Sequence, residues 1–337
     1  MVCKNLNDYL LIPEGCFFRG TQFNSNRIKE LSEKYLILPE WILKEMPGRD
    51  LFIDEFRMCK NLVSFSDLNE YFSSLEMQVP ENIKLNMNSF GPNYPAFPIS
   101  IELADEYTLW LRKNTLINFY LPSEEEWEKA AKGESGYEYP WGDFEDGPVN
   151  IKTTGPNIPD FSKKYINISP FGILNMGGNI EEITSSFNSS YEGLNIHIPK
   201  ILKYRILKGG TCEHNLDLAR CSRRHGKIPS IYTGLRLIIK NRECKKVKDA
   251  FEIDFKINNA SFGIVKEYYN NLIIIDFGEG RYGECDINKL CDFDKFLLTK
   301  KPKIGSEILV KIEGQIKDNF YSCTRYSILE FENLFLQ

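Results

Sequence analysis

The chain has 337 residues, of which 47 are acidic and 42 are basic, for a formal net charge of -5. This length exceeds one ordinary compact domain and favours a large domain with an appendage, or two domains. An acidic chain is poorly suited to a main task of neutralising a phosphate backbone. Nine cysteines without a C-x-x-C pair, and an N-terminus without an apolar signal core or membrane-spanning run, predict a cytoplasmic protein with no membrane partner.

Three segments in the first half carry helix signals. A helix is predicted from about Ser64 to Ser74. In "SIELADEYTLWLRKN", Ser100 stands where an N-cap hydroxyl would, and apolar residues recur at helical spacing. In "LPSEEEWEKAAKG", Ser123 and Glu126 have the spacing of a capping box, and Gly133 supplies the stop. The buried side of this last helix is predicted to consist of Trp127, Ala130 and Ala131.

The rest of the chain alternates irregular sequence with short β runs. "YRILKGG" and "TGLRLIIK" are predicted strands, and the charged stretch Lys240–Ala250 is typical of a linker. Beyond it, five short β-rich runs with turn residues between them predict a small barrel. The predicted domains are therefore 1–240 and 251–337, with a linker at 241–250.

The first domain resembles the formylglycine-generating enzyme, or sulfatase-modifying factor, superfamily. Seven blocks carry the resemblance in the family's order, among them "LIPEGCFFRGT", "FYLPSEEEWEKAAKGESGYEYPWGD", "SPFGILNMGGNIEEITSS" and "TGLRLI". Together they span roughly Leu10 to Ile239. The resemblance implies an α+β fold, an elaborated C-type-lectin-like structure with much irregular loop.

One glycine-rich block is similar to the family's calcium loop. The resemblance implies that calcium is held by the side chains of Asn175 and Glu182 and by the carbonyls of Gly178 and Ile180. Calcium takes six to eight hard oxygen ligands, and glycine lets the backbone aim carbonyls inward, so the chemistry is sensible on its own terms. The alternative is a glycine turn beside a solvated carboxylate. A second family calcium site would begin at Asn150 and the Ile151 carbonyl, with Asp160 as the distal ligand.

The family's catalytic segment corresponds here to "KGGTCEHNLDLARCSRRHG". Family enzymes bind copper between two cysteines separated by four residues, because two thiolates suit Cu(I). Here Cys221 lies nine residues after Cys212, and the second catalytic cysteine falls at about Leu216. The same stretch holds two thiols and two imidazoles, a set that suits zinc or copper: Cys212, His214, Cys221 and His225. The alternative is a buried thiol with exposed imidazoles.

Residues from Phe251 to about Ser327 resemble the S-one type of OB-fold, an RNA-binding repeat of a ribosomal protein. The resemblance implies that aromatic rings stack on bases, and the corresponding rings are Tyr268, Phe277 and Tyr282. Acidic residues outnumber basic residues in this region, which disfavours phosphate binding. A protein-binding or purely architectural module is therefore at least as good an interpretation as an RNA-binding one. "GEGRYG" matches G-x-G-x-x-G, but no helix is predicted after it, so a turn between strands is expected.

Two functions remain open from the sequence. The first is a calcium-stabilised recognition domain that binds a peptide or protein, with the OB-fold module tethering it to a protein or RNA partner. The second is a copper-dependent oxidoreductase of the same superfamily, which would use Cys212, with or without Cys221, to oxidise a cysteine or other thiol with oxygen. Whether the chain is an enzyme therefore depends on the geometry around Cys212.

Overall fold

A computed structural model describes residues 5–143, 167–226, 230–240, 253–286 and 302–335. The predicted second calcium site at Asn150, Ile151 and Asp160 lies outside the described residues, as does the linker at 241–250. Among the residues described, no helix is long and apolar enough to cross a membrane.

The chain forms two compact units. The first consists of Met1–Arg19, Arg49–Ser186 and Arg205–Lys246, and the second of Gly20–Gly48, Phe187–Tyr204 and Val247–Gln337. Each unit gathers segments that are far apart in the sequence. The division of the sequence into domains 1–240 and 251–337 stays a prediction.

Helices and short strands alternate along the chain. The helices are α1 (Ser25–Tyr35), α2 (Pro39–Leu43), α3 (Phe65–Ser74), α4 (Glu81–Phe90), α5 (Ile101–Thr115) and α6 (Glu124–Lys132). The strands are β1 (Tyr9–Ile12), β2 (Gly15–Arg19), β3 (Arg49–Ile53), β4 (Phe56–Cys59), β5 (Phe119–Tyr120), β6 (Glu181–Phe187), β7 (Ile196–His197), β8 (Arg205–Lys208), β9 (Thr233–Leu235), β10 (Ile238–Ile239), β11 (Ala260–Tyr269), β12 (Leu272–Gly278), β13 (Arg281–Asp286), β14 (Glu307–Lys317) and β15 (Phe320–Arg325). The described chain is therefore mixed α+β.

The three predicted helices are confirmed, together with the N-caps predicted at Ser100 and Ser123. The hydroxyls of Ser64, Ser100 and Ser123 each accept a hydrogen bond from the backbone N–H three residues later, at the starts of α3, α5 and α6. A reciprocal capping box is present at α3 and α6. Gly133 ends α6 with φ of +67°, a conformation that favours glycine.

Helix α6 differs from its prediction, because all nine of its residues are buried and not only its apolar side. Its charged groups are paired inside the unit. Nζ of Lys132 lies 3.0 Å from Oε1 of Glu128, and Nε of Arg224 lies 2.7 Å from Oε1 of Glu124. Since a buried charge is costly unless it is paired and hydrogen-bonded, the high charge of this helix requires these partners.

The first unit contains three small sheets. A four-stranded sheet has the order β1-β4-β10-β5, β2 pairs with β3, and a three-stranded sheet has the order β8-β6-β9. Two clusters of buried apolar residues form its core, one around α3 and α5 and one around Trp127 of α6. The central strand β6 begins at Glu181 and pairs in parallel with β9, which positions the candidate site described below.

The second unit contains a closed five-stranded barrel. Its strands follow the order β11-β12-β13-β15-β14, and β11 closes the barrel by pairing with both β12 and β14. Strand β7 adds to β11 in parallel. The "GEGRYG" stretch is the hairpin between β12 and β13, where Gly278, Glu279 and Gly280 all have positive φ. The expected turn between strands is confirmed.

Candidate functional site

A tight backbone loop precedes β6. Asn175, Gly178 and Asn179 have φ of +56°, +73° and +66°, a left-handed region that glycine and asparagine tolerate best. The Gly178 N–H donates to the Gly209 carbonyl at 2.7 Å. A Cβ on Gly209 would lie 2.4 Å from the carbonyl oxygen of Met176, so this close approach requires glycine. The composition of "NMGGN" therefore reflects its backbone conformation.

Glu182, the predicted calcium carboxylate, is fully buried and paired with a buried arginine. Its Oε1 accepts from an Arg236 terminal nitrogen at 2.6 Å, and its Oε2 accepts from Arg236 Nε at 2.9 Å. The Trp127 indole N–H donates to the same Oε2 at 2.8 Å. The arginine, whose side chain is also fully buried, balances the charge of this carboxylate.

Of the other predicted calcium donors, the Gly178 carbonyl also takes part in a bond within the protein, and Asn175 is held through its backbone. The Gly178 carbonyl accepts from the Ile180 N–H at 2.9 Å, and the Asn175 N–H donates to the Asn167 carbonyl at 2.7 Å. Asn175 itself is only partly buried. The guanidinium of Arg236 already binds the carboxylate of Glu182. The loop is held by hydrogen bonds within the chain. Calcium binding here stays a prediction.

The two cysteines proposed for catalysis are both fully buried. Cys221 packs in the apolar cluster around Trp127, and its burial raises its thiol pKa. Burial, reinforced by the neighbouring Glu213 carboxylate, raises the pKa of Cys212 to about 11. Both sulfurs are therefore neutral thiols near neutral pH, and the thiolate is the form that ligates metals and acts as a nucleophile. This environment does not favour a copper-binding pair.

A different constellation surrounds Glu181, the first residue of β6. This side chain has no exposed surface, and its Oε1 lies 2.8 Å from Nδ1 of His225. A bridge between His225 and Leu207, at the end of β8, fixes the histidine beside the strand. Oε2 of Glu181 has no hydrogen-bond partner among the described residues. A buried carboxylate oxygen without a partner is costly.

A second imidazole lies against the first. The rings of His214 and His225 are 5.2 Å apart at 73°, and Nδ1 of His214 accepts from the Thr211 N–H at 3.0 Å. Neutral His214 therefore carries its proton on Nε2. Burial lowers its pKa, although the Glu181 carboxylate opposes this shift. The side chain of His225 is 29% exposed, so solvent reaches the edge of this Glu181–His225–His214 cluster.

A family model with the description "Sulfatase-modifying factor enzyme 1-like domain" matches residues 2–241. The chain belongs to this family. The family resemblance stated from the sequence is thereby confirmed for the first domain, while the S-one type of the barrel stays a prediction. The Glu181–His225–His214 cluster and both buried cysteines lie within the matched region.

The chain is also similar to a curated protein and to a solved structure. The chain is 26% identical over 233 residues to a protein named serine/threonine-protein kinase Pkn1 from Chlamydia trachomatis, covering 66% of this chain and 36% of that protein. The chain thus spans about a third of the length of this curated relative. A solved structure of Treponema denticola variable protein 1 is similar with a TM-score of 0.50 at 12% identity, covering 68% of this chain and 94% of that one. This likeness supports the fold.

The structure does not assemble the predicted zinc or copper ligands of the family domain into a metal centre among the described residues. These predicted ligands are Cys212, His214, Cys221 and His225. Within the described ranges, no three or more histidine, cysteine, aspartate or glutamate residues are grouped so that they could hold a metal ion. The sequence singled out both histidines but not their partner Glu181. A buried glutamate next to the loop glycines gives no sequence signal of its own.

The three aromatic residues predicted to stack on RNA bases lie in different environments. Phe277 is only 2% exposed and packs in the apolar interior of the barrel, so its assignment as a stacking surface is corrected. Tyr268 is partly buried and its hydroxyl donates to the Pro302 carbonyl. Tyr282 is partly buried with the Lys266 ammonium 4.2 Å from its ring centroid. RNA binding at Tyr268 and Tyr282 stays a prediction.

Proposed function

We propose that the family domain of this chain is a recognition domain for a peptide or protein ligand. The observation that carries the proposal is the buried Glu181 carboxylate, which has one oxygen bonded to His225 and the other without a partner among the described residues. The His225 side chain is 29% exposed, so a ligand group would bind at this edge of the cluster and act on the buried carboxylate through His225.

The chemistry of the cluster indicates the kind of ligand group. The buried Glu181 carboxylate gives the cluster a negative charge, and a hydrogen bond with a charged partner is about twice as strong as one between neutral groups. Nδ1 of His225 lies 2.8 Å from Oε1 of Glu181, and in the neutral tautomer with its proton on Nδ1 the Nε2 atom is an acceptor. An acceptor at the partly exposed edge of a negatively charged cluster suits a peptide ammonium, guanidinium or amide N–H group. A basic side chain of the partner is therefore the proposed contact.

The competing function, oxidation of a cysteine or other thiol with oxygen, requires an accessible thiolate. Cys212 has no exposed surface and a pKa near 11, and Cys221 lies in an apolar cluster. These features support recognition over oxidation. Fold alone does not decide the question, since function depends on the site.

The barrel of the second unit is proposed to tether the recognition domain to a protein or RNA partner. Five closed strands are the architecture of a small OB-type barrel, and such barrels present one face to ligands. Tyr269 on β11 is 66% exposed and adds an aromatic ring to that surface. Calcium, held at the loop of Asn175, is proposed as a structural ion of the recognition domain.

The proposal is tested by selecting displayed random peptides on the whole chain and measuring the affinity of the selected peptides. Peptides with Lys or Arg should bind, and Glu181→Gln should weaken them by about tenfold or more, the effect of losing about 1.4 kcal/mol. Glu213→Gln is the control, because it removes an exposed carboxylate from the loop that carries His214 and leaves Glu181 in place. Equal affinities for wild type and Glu181→Gln, across all selected peptides, would refute the assignment.

A further inference from the structure

The second unit contains a cavity of about 210 Å³ that is separate from the Glu181–His225–His214 cluster. One wall comes from the segment around β7 and the other from the start of the barrel domain and the β12–β13 hairpin. The polar lining includes Ser189, His197, Lys200, Lys203, Asp254 and Arg281. A space of this size accommodates a small molecule.

His197 lines this cavity and carries a hydrogen-bond acceptor. The Ser261 hydroxyl donates to the Phe262 carbonyl at 3.0 Å, so it accepts from Nδ1–H of His197, 2.9 Å away. Nε2 is then the unprotonated nitrogen of a neutral ring. Burial, aided by the charges of Arg281 and Lys203, lowers the pKa of His197 to about 4, so the ring stays neutral at pH 7.

Cations outnumber carboxylates around the cavity. Glu279 is shared by two of them, with Nζ of Lys200 at 2.6 Å and a terminal nitrogen of Arg281 at 2.8 Å. Lys203 adds a third positive charge, while Asp254 pairs with Lys256, 2.9 Å away. Glu279 is the only hydrogen-bond partner of Arg281 among the described residues, and it engages one of the three guanidinium nitrogens. The remaining fork can bind an anion.

Aromatic rings form the apolar part of the wall. Phe255 packs edge to face against His197, with ring centroids 5.4 Å apart, and against Phe277 at 5.1 Å. The Arg281 guanidinium lies 5.1 Å from the centroid of Phe255. The cavity therefore combines an anion-binding fork, a neutral acceptor and an aromatic wall within one small volume.

We propose that this cavity binds a nucleoside monophosphate. Its phosphate would bind Arg281 and Lys203, a hydroxyl or amino group would donate to Nε2 of His197, and its ring would pack against Phe255. The segment around β7 contributes Lys203 and His197, so the cavity differs from the exposed barrel face on which Tyr268 and Tyr282 were predicted to stack on RNA.

The test uses the three histidines of the chain as separate probes in one NMR experiment. AMP added to the whole protein should shift the imidazole signals of His197 and leave those of His214 and His225 unchanged. His197→Gln assigns the signal. Because the peptide site contains the other two histidines, failure of this proposal is distinguishable from failure of the proposed peptide recognition.

Affinities then separate the parts of the ligand. Adenosine, which lacks the phosphate, and inorganic phosphate, which lacks the ring, should each bind about tenfold more weakly than AMP. Arg281→Gln should weaken the binding of AMP by about tenfold or more. Lys203→Gln is the second variant, for use if Arg281→Gln has a lowered melting temperature. Arg27→Gln, which removes a partly exposed cation of α1 in the same unit, is the matched control.

Three results would overturn the proposal. One is the absence of any His197 shift at about millimolar AMP, and another is adenosine binding as tightly as AMP. The third is an equal loss of affinity for AMP in Arg281→Gln and in the control Arg27→Gln. Tighter binding of an RNA oligonucleotide than of AMP, with the same dependence on Arg281, would show a polymer site and would also overturn the assignment to a mononucleotide.

Discussion

Arg236 provides the sharpest test of how the first unit is held together, because its guanidinium uses every donor it has. Two donors bind the carboxylate of Glu182. The other three bind backbone carbonyls, those of Cys59 at 3.0 Å, Lys60 at 2.8 Å and Leu174 at 2.9 Å. Arg236→Met keeps most of the side-chain volume but removes all five hydrogen bonds.

The expected cost follows from what the substitution leaves behind. Removing one partner of a buried ion pair costs about 3–5 kcal/mol, because the remaining charge of Glu182 stays buried. The three carbonyls would lose donors worth about 1 kcal/mol each, and these terms are not fully additive. We expect a loss of at least about 4 kcal/mol, which is a large share of a typical stability of about 5–15 kcal/mol.

Urea unfolding followed by circular dichroism measures this loss. Arg27→Met is the control, since its partner Glu30 is exposed and the pair should contribute about 0.5 kcal/mol or less. The double variant Arg236→Met/Glu182→Met removes both charges and should be more stable than Arg236→Met alone. A loss below about 1 kcal/mol in the single variant, or a double variant no more stable than the single, would refute the reasoning.

Three further predictions concern the same unit. Gly209→Ala should lower the free energy of unfolding in urea by about 2 kcal/mol or more, because its Cβ would meet the Met176 carbonyl. Gly136→Ala is the control: its Cβ would enter open space, and the loss should be about 1 kcal/mol. Equal losses in the two variants would contradict this prediction. Burial alone would raise the pKa of Asp217, but two bonded arginines hold it below its ordinary value of 3.8. The contribution of Asp217 to the free energy of unfolding is therefore present above about pH 4 and lost as the pH falls further. Asp217→Asn should make the free energy of unfolding depend less on pH on the acid side. Parallel pH profiles for wild type and variant would contradict this prediction. Calcium at the loop should raise the melting temperature of wild type relative to chelator-treated protein but not that of Asn175→Ala, and identical wild-type melts would remove the ion.

Much of the local structure could be predicted from the sequence because its causes are local. Ser123 and Glu126 form a capping box from positions three residues apart, and such a signal needs no tertiary partner. The complete burial of α6 could not be predicted in this way. It depends on cations such as Arg224 and Lys208, which lie more than seventy residues away in the sequence and meet the helix only in the folded chain.

The candidate site shows the same limit. Family motifs directed attention to Cys212 and to the glycine-rich loop before β6. They did not show that Arg236 would hold the carboxylate of Glu182, or that Glu181 would lie beside His225. Both pairings join residues more than forty positions apart. Only the register of β6 with its neighbouring strands and loops brings these side chains together.

The central claim is that the family domain recognises a ligand and does not oxidise a thiol. Anaerobic titration of the reduced protein with Cu(I) against a competing chelator, followed by oxygen-uptake measurements with cysteine peptides, tests it most directly. The burial of Cys212 and Cys221 predicts that the protein takes no copper from the chelator and consumes no oxygen above the buffer rate. Stoichiometric copper binding with oxygen uptake that disappears in Cys212→Ser would contradict the claim.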